Sequence, residues 1–145
     1  MVSPVIDQSL VEFFTSTSYA AKSVAAVVGK RVHVGKVPKN QANLFPRLFL
    51  RRSSRESNRD IDGGGSTTYI EDNFDLEVIS NASTDILKIT NNLWNDVDCC
   101  WGSISTNRTV KGIFLENQDD SYEPKGTGGD LGLDIASFNM RVVYG

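Results

Sequence analysis

The sequence has little of what most catalytic and metal sites are built from. Its 145 residues include one histidine, His33, and two cysteines, Cys99 and Cys100, which are adjacent. A Ser-His-Asp or Cys-His site would have to use His33, and no G-x-S-x-G motif is present. A structural zinc site needs four ligands, and neighbouring cysteines cannot supply a disulfide framework within one chain. We therefore expect no catalytic residues, no metal and no enzymatic activity, with both cysteines packed under a helix beside Trp101.

Motifs for binding phosphate and calcium are missing as well. The glycine run at 63–67 has no P-loop lysine. A second glycine cluster, at 126–132, leads into a predicted strand, whereas a dinucleotide fingerprint leads into a helix. The acidic stretch 116–130 lacks the central glycine and the distant glutamate of an EF-hand loop. We expect no cofactor, and a weak, adventitious cation site in this stretch is left as an alternative.

Long hydrophobic runs and an excess of positive charge are also absent. The longest nearly uncharged run, 13–29, contains serines, threonines and a lysine, which makes it too polar to span a bilayer. The first seven residues have neither the basic region nor the cleavage site of a secretory signal, so a cytoplasmic protein is expected. The formal net charge of −3 argues against a protein that coats DNA.

The N-terminal region has the apolar spacing of helices. Ser3 and Pro4 are typical of an N-cap followed by a first helical position. Ser18 is expected to cap a second helix, and Gly29 to end it. The apolar residues at helical spacing are Ile6, Leu10, Phe13 and Phe14, followed by Ala21, Val24, Ala25 and Val28. The pattern predicts an N-terminal helix that is kinked or split in two.

A central helix is expected to start at Ser83. The Ser83 hydroxyl would accept hydrogen bonds from free backbone N–H groups, and Asp85 would oppose the helix dipole. Apolar residues fall on a single arc of this helix: Ile86, Leu87, Ile89, Leu93, Trp94 and Val97. We expect this arc to cover the buried face of a sheet.

Apolar and polar residues alternate in the other segments, which predicts strands. The strands are expected near 32–37, 47–54, 68–80, 110–116 and 131–144. In the last one the apolar residues change from odd to even positions, which predicts a bulge near Ala136 or Ser137. The expected fold is α+β: a single domain, 1–145, with a mostly antiparallel sheet of about five strands and one layer of helices on one face.

Charge is distributed unevenly along the chain. Five arginines fall within thirteen residues: Arg47, Arg51, Arg52, Arg55 and Arg59. Five carboxylates and three glycines crowd 116–130, which reads as an acidic hairpin tip that stays solvated until a partner covers it.

Three interpretations of the charged segments stay open. The arginines could form a solvated strand face, they could meet the acidic hairpin of a neighbouring copy in a ring, or the 47–59 hairpin could bind nucleic acid. The candidate partner-binding residues are Arg51, Arg55, Arg59, Asp119, Asp120 and Glu123.

In their order along the chain, these features resemble the tail-completion, or tail terminator, family of long-tailed phages and related particles. The matching segments are "VAAVVGKRVHVGKVP", "FPRLFLRRSS", "FDLEVISNASTDILKITNNLWNDV", "VKGIFLENQDDSYEP" and "ASFNMRVVY". Segments 29–37 and 120–124 and the closing strand carry most of the resemblance, which covers nearly the whole chain. The "DIDGGGSTT" loop and the asparagines of the central helix depart from the family pattern.

The resemblance implies a virion protein of the head–tail junction, made in the host cytoplasm. Such a protein forms a ring, typically of six copies, on the head-proximal end of a completed tail tube. It halts tube polymerisation and offers a surface to the connector or neck proteins of the head. Its expected partners are copies of itself, the tail tube protein and the neck proteins, with DNA at most passing through the ring lumen.

Overall fold

A computed structural model describes residues 6–37, 39–41, 44–59, 67–123 and 132–145. The helices are α1 (Ile6–Thr15), α2 (Lys22–Val28) and α3 (Ser83–Asn92), which continues into a π-helical turn (Leu93–Val97). A short 3-10 turn covers Lys39–Gln41. The strands are β1 (Val32–Val34), β2 (Arg47–Arg59), β3 (Thr67–Ser80), β4 (Cys100–Ser105), β5 (Arg108–Glu123) and β6 (Leu133–Tyr144).

The strands form one sheet in the order β1-β2-β3-β6-β5-β4. β1 runs parallel to β2, and every other neighbouring pair is antiparallel. The predicted α+β class with a mostly antiparallel sheet is confirmed, and the described residues contain six strands where about five were expected. No helix in the described ranges is long and apolar enough to cross a membrane.

The additional strand is β4, at one edge of the sheet. A two-residue turn, Thr106 and Asn107, joins it to β5, and this short polar link is the sequence signal for the β4–β5 hairpin. The predicted packing is wrong for Cys99 and Trp101, whereas Cys100 is half-buried and packs against the core. Cys99 is exposed and Trp101 is 80% exposed, because the helix has already ended at Val97 and the chain continues into an edge strand.

The N-terminal prediction is confirmed as two separate helices, both of which pack on the core. Gly29 follows α2 with φ +60°, and its N–H binds the Ala25 carbonyl, as expected of a helix end. The predicted cap at Ser18 is wrong: Ala21 precedes the first residue of α2 and makes no side-chain cap bond. The predicted cap at Ser3 and Pro4 lies outside the described residues.

The central helix begins at Ser83, so Ala82 is its N-cap and Ser83 does not have the predicted capping role. Asp85 lies in the first turn, as expected. The predicted apolar arc includes two residues that are not buried: Leu87 is 62% exposed and Trp94 is 36% exposed. At about 100° per residue both lie to one side of the stripe that enters the core. The buried residues of this stripe are Ile86, Ile89, Leu93 and Val97.

The predicted bulge lies in a different strand. β6 pairs with β3 without interruption from Asp134 to Tyr144, and the irregularity is in β5, where Asn117 has φ +54° and the pairing shifts. The apolar residue at odd position 135 lies half-buried on the sheet face opposite the helices and needs no change of register.

Candidate intermolecular surface

Two long pairs of neighbouring strands, β2–β3 and β5–β6, are connected at opposite ends of the sheet. The β2–β3 hairpin turns at the end where Ile70 lies beside Tyr144, and the β5–β6 hairpin turns at the end where Ser80 lies beside Asp134. β3 has 14 residues, so the two ends are about 45 Å apart. The far ends of the arginine-rich and acidic segments are therefore well separated, while their bases, Arg51 and Glu116, lie at the same level of the sheet with β3 and β6 between them.

The arginine-rich segment of β2 has an open edge. We call residues 51–59 the β2 arm. β1 covers only residues 48–50 of β2, and the last backbone bond on this edge joins the Gly35 N–H to the Leu50 carbonyl at 2.9 Å. No other segment in the described part of the chain pairs with this edge, so the arm has hydrogen-bonding groups available to a further strand.

The acidic segment has an open edge as well. We call residues 117–123 the β5 arm; every residue in it is exposed. The pairing of β4 with β5 ends at Ile113, and the Leu115 N–H is capped by Asp98 Oδ1 at 2.9 Å. Beyond that point none of the described segments covers this edge. The prediction of a hairpin tip is thus wrong for 116–123, which is strand, while 124–130 lie outside the described residues.

The predicted acidic residues point to two different faces of the β5 arm. Asp119 lies opposite Ser137 on the sheet face that carries no helix, and Glu123 is the last residue of the strand. Asp120 lies opposite the buried Ala136, on the helix side, and accepts a hydrogen bond from Gln118 Nε2 at 3.0 Å. The arm thus presents carboxylates on both faces.

A shallow acidic depression lies at the base of this arm, on the face without helices. Its volume is about 190 Å³, and three carboxylates, Asp75, Glu77 and Asp119, line it together with Ser137 and Asn139. Within the described ranges no three histidine, cysteine or acidic side chains are arranged as metal ligands. The depression adds negative charge next to the acidic arm.

The predicted arginines have different environments. Arg51 is exposed on the face without helices, opposite Asp75, and makes no hydrogen bond or ion pair to another described residue. Arg55 binds Asp72 with both ends of its guanidinium, Nε to Oδ1 at 2.7 Å and Nη2 to Oδ2 at 3.1 Å. Arg59 ends β2 opposite Thr67, and its side chain lies outside the described part.

Asp72 is the residue that the sequence reasoning missed. Its side chain is fully buried, and Tyr144 donates its hydroxyl to Oδ2 at 2.8 Å. Arg52 lies 3.9 Å from the same oxygen and 3.5 Å from Asp7. These contacts tie Arg52 and Arg55 to carboxylates of the same chain. The sequence does contain a signal for this buried carboxylate. Asp72 occupies an even position in an alternating strand, and the apolar residues of that strand also occupy even positions.

The surroundings of Asp72 change the acidity of its partners. Burial and the hydrogen bond to Asp72 raise the pKa of Tyr144 to about 12, so this hydroxyl stays protonated and donates throughout the physiological range. The hydrogen bond to Asp72 raises the pKa of Arg55 further above its ordinary value. The cluster is a fixed structural tie between the base of the β2 arm and the last strand.

Burial shifts the pKa values of His33 and Cys100. His33 is a buried strand residue, and burial together with the nearby positive charge of Arg47 lowers its pKa. Burial raises the pKa of Cys100 to about 11, which keeps the thiol protonated near neutral pH. Neither side chain has the character of a nucleophile or base ready for reaction.

No protein-family model matches the chain, and no curated protein matches it either. A similar fold occurs in solved structures. One matching chain belongs to the virion of a native gene transfer agent particle, with a TM-score of 0.52 over 95% of this chain and 94% of that one. The sequence identity is 13%, so the likeness concerns the fold alone.

Proposed function

We propose that this chain is a structural virion protein, and more specifically a tail terminator. In this role it forms a ring, typically of six copies, on the head-proximal end of a tail tube, stops the tube from growing and joins the tail to the head. Its partners are further copies of itself, the tail tube protein and the connector or neck proteins of the head. It works at the head–tail junction and makes or breaks no covalent bond.

The observation that carries the proposal is the fold likeness to a virion chain over nearly the full length of both chains. The tail-completion resemblance of the sequence, from "VAAVVGKRVHVGKVP" to "ASFNMRVVY", narrows it to the end of the tail. The two open-edged arms also support it, because a ring joined head to tail needs two different surfaces on each copy that complement each other. A role of this kind requires shape and contact surfaces, and no catalytic group.

A particle preparation that lacks this protein tests the proposal directly. We expect filled heads separate from tails, and many tails longer than normal, because nothing stops the tube from polymerising. Electron microscopy of negatively stained lysate gives the tail-length distribution. Supplying the intact chain from a plasmid is the control and restores joined particles of normal length. Tails of normal length in its absence would contradict the terminator role.

A further inference from the structure

We propose that the open edge of the β5 arm receives the β2 arm of a second copy as an added antiparallel strand. This inference rests on the proposed function only in so far as that function requires the chain to assemble with itself. It specifies the surface involved, residues 117–123 of one copy, and the occupant, residues 51–59 of the next.

Along the outer edge of the β5 arm, backbone groups that no described segment pairs with form a regular array. The Ile113 carbonyl accepts from the Cys99 N–H at 2.7 Å and the Leu115 N–H reaches Asp98, so these odd-numbered residues point their backbone groups away from β6. Directions alternate along an antiparallel strand, and the bulge at Asn117 shifts the alternation by one residue. The residues whose N–H and C=O groups face the open edge are therefore Gln118, Asp120 and Tyr122.

The β2 arm has a matching array. The Leu48 N–H binds the Arg31 carbonyl at 2.9 Å, and the Leu50 carbonyl accepts from Gly35; no described segment pairs with this edge beyond Leu50. The pairing with β3 shifts at Ser53, so the arm residues whose backbone groups face the open edge are Arg52, Arg55 and Ser57. The arm then extends nine residues to Arg59, about 30 Å, against about 24 Å for the seven residues of the β5 arm. A strand of the required length is thus available in each neighbouring copy.

The topology gives the added strand the favourable direction. β2 runs antiparallel to β3, β3 to β6, and β6 to β5, so β2 and β5 run in opposite directions within one sheet. A second copy can be placed beside the first so that corresponding strands of the two sheets run in the same direction. The β2 strand of the second copy is then antiparallel to the β5 strand of the first. Antiparallel pairs are slightly more stable per residue than parallel ones.

Charge selects this pair of edges over pairs of identical edges. The β5 arm contains three carboxylates and no lysine or arginine, while the β2 arm contains four arginines and one glutamate. Two β5 arms side by side would place like charges against each other, which destabilises a ladder. The Arg55 side chain is 44% exposed and that of Arg52 is 31% exposed, so both can still face an incoming carboxylate.

The positions of the arms make the contact heterologous. They lie at opposite ends of the sheet and on opposite edges, so two copies related by a two-fold axis would have to overlap to make both contacts at once. Each copy thus uses one arm for each of two neighbours. An assembly of this type closes into a ring when the rotation between copies allows it.

Single-cysteine variants test the pairing in the purified full chain. In a background of Cys99→Ser and Cys100→Ser, one chain carries Ser54→Cys in the β2 arm and another carries Ser121→Cys in the β5 arm; both serines are exposed. On mild oxidation we expect several-fold more disulfide-linked dimer from the co-expressed pair than from either chain alone. A chain with both substitutions should give a ladder of covalent oligomers on a denaturing gel.

Other cross-linking patterns would overturn the inference. Dimers of the Ser121→Cys chain with itself would indicate a two-fold contact between β5 arms. Absence of cross-links in a protein that still sediments as an oligomer would place the interface elsewhere, and tail length in the lysate would then test the proposed function separately. A chain that remains monomeric at every concentration would overturn the strand pairing outright.

A backbone variant provides an independent measurement. Asp120→Pro removes a backbone N–H that faces the open edge, and it leaves the N–H groups that bond β5 to β6 in place. Asp120→Asn removes the charge of the side chain and keeps that backbone N–H. We expect the proline variant to lose oligomers several-fold more than the asparagine variant, with thermal unfolding confirming that both are folded. Equal assembly of the two folded variants would contradict a strand-to-strand contact.

Discussion

At the scale of single residues, the most informative position is Asp72. It occupies the helix-side face of β3, in line with Phe74 and Leu76, where alternation places apolar side chains. A fully buried carboxylate is costly unless its oxygens are hydrogen-bonded to cationic or neutral donors. Arg55 and Tyr144 supply those donors, which means that Arg55 stabilises the arm in addition to any contact with a partner.

We predict that Arg55→Met lowers the free energy of unfolding by about 2 kcal/mol, because it removes a charge-assisted pair of hydrogen bonds from a buried carboxylate. Arg51→Met is the matched control, since Arg51 is exposed in the same strand and has no ion pair among the described residues; we expect a change within about 0.5 kcal/mol. Urea denaturation measures both. Equal effects would mean that the Asp72 cluster contributes nothing specific to stability.

At the scale of secondary-structure elements, the length of β5 decides what the acidic segment is. The strand continues past the bulge at Asn117 to Glu123. Each β5 residue beyond the bulge has a pairing partner in β6, and the last such pair is Glu123 with Leu133. The positive φ of Asn117 lets the strand absorb one extra residue and keep β6 in register with β3. Asparagine tolerates this conformation better than other residues with a side chain, apart from aspartate.

We predict that Asn117→Val destabilises the fold by about 1.5 kcal/mol, because a β-branched side chain is strained at positive φ. Asn117→Gly is the control and should be close to neutral, since glycine adopts this conformation without strain. Thermal unfolding should show a midpoint lower by several degrees for the valine variant only. A valine variant as stable as the native chain would mean that the bulge is not held in this conformation.

At the scale of the whole molecule, charge is separated along the sheet. The arginine-rich arm and the acidic arm leave opposite ends, and the acidic depression lies at the base of the second. When a molecule has opposite charges at its two ends, the positive end of one copy attracts the negative end of the next, and identical ends repel each other. This arrangement is the physical basis on which we expect a directional assembly.

We predict that reversing Asp119 and Asp120 together to lysine shifts the purified protein toward monomer, because the β5 arm would then repel the arginines of its neighbour. The corresponding double asparagine variant removes the charge without reversing it and should have an intermediate effect. Light scattering as a function of concentration measures the change, and low salt should enlarge it. An unchanged distribution of oligomers would reject the charge contribution of these two residues.

Much of the architecture could be predicted because it depends on local pattern. The two N-terminal helices, the α3 helix and the long alternating β3 strand follow from spacings of 3.6 and 2 residues. The pattern does not predict β4, because a short edge strand such as "CWGSIS" has weak alternation. The buried arc of the central helix is narrower than its apolar residues indicate, because the orientation of the helix on the sheet decides which of them are covered. Of the candidate site, the sequence identified the charged residues but not their environments.

The sequence alone determined which segments are apolar on one side and where charge accumulates, since both are properties of neighbouring residues. Only the tertiary structure decided that Arg55 faces Asp72 inside the chain, because that contact depends on the register between β2 and β3, including the shift near Ser53. Only the strand order placed the two arms at opposite ends with open edges. Strand pairing joins residues distant in sequence, and local periodicity carries no information about which of them meet.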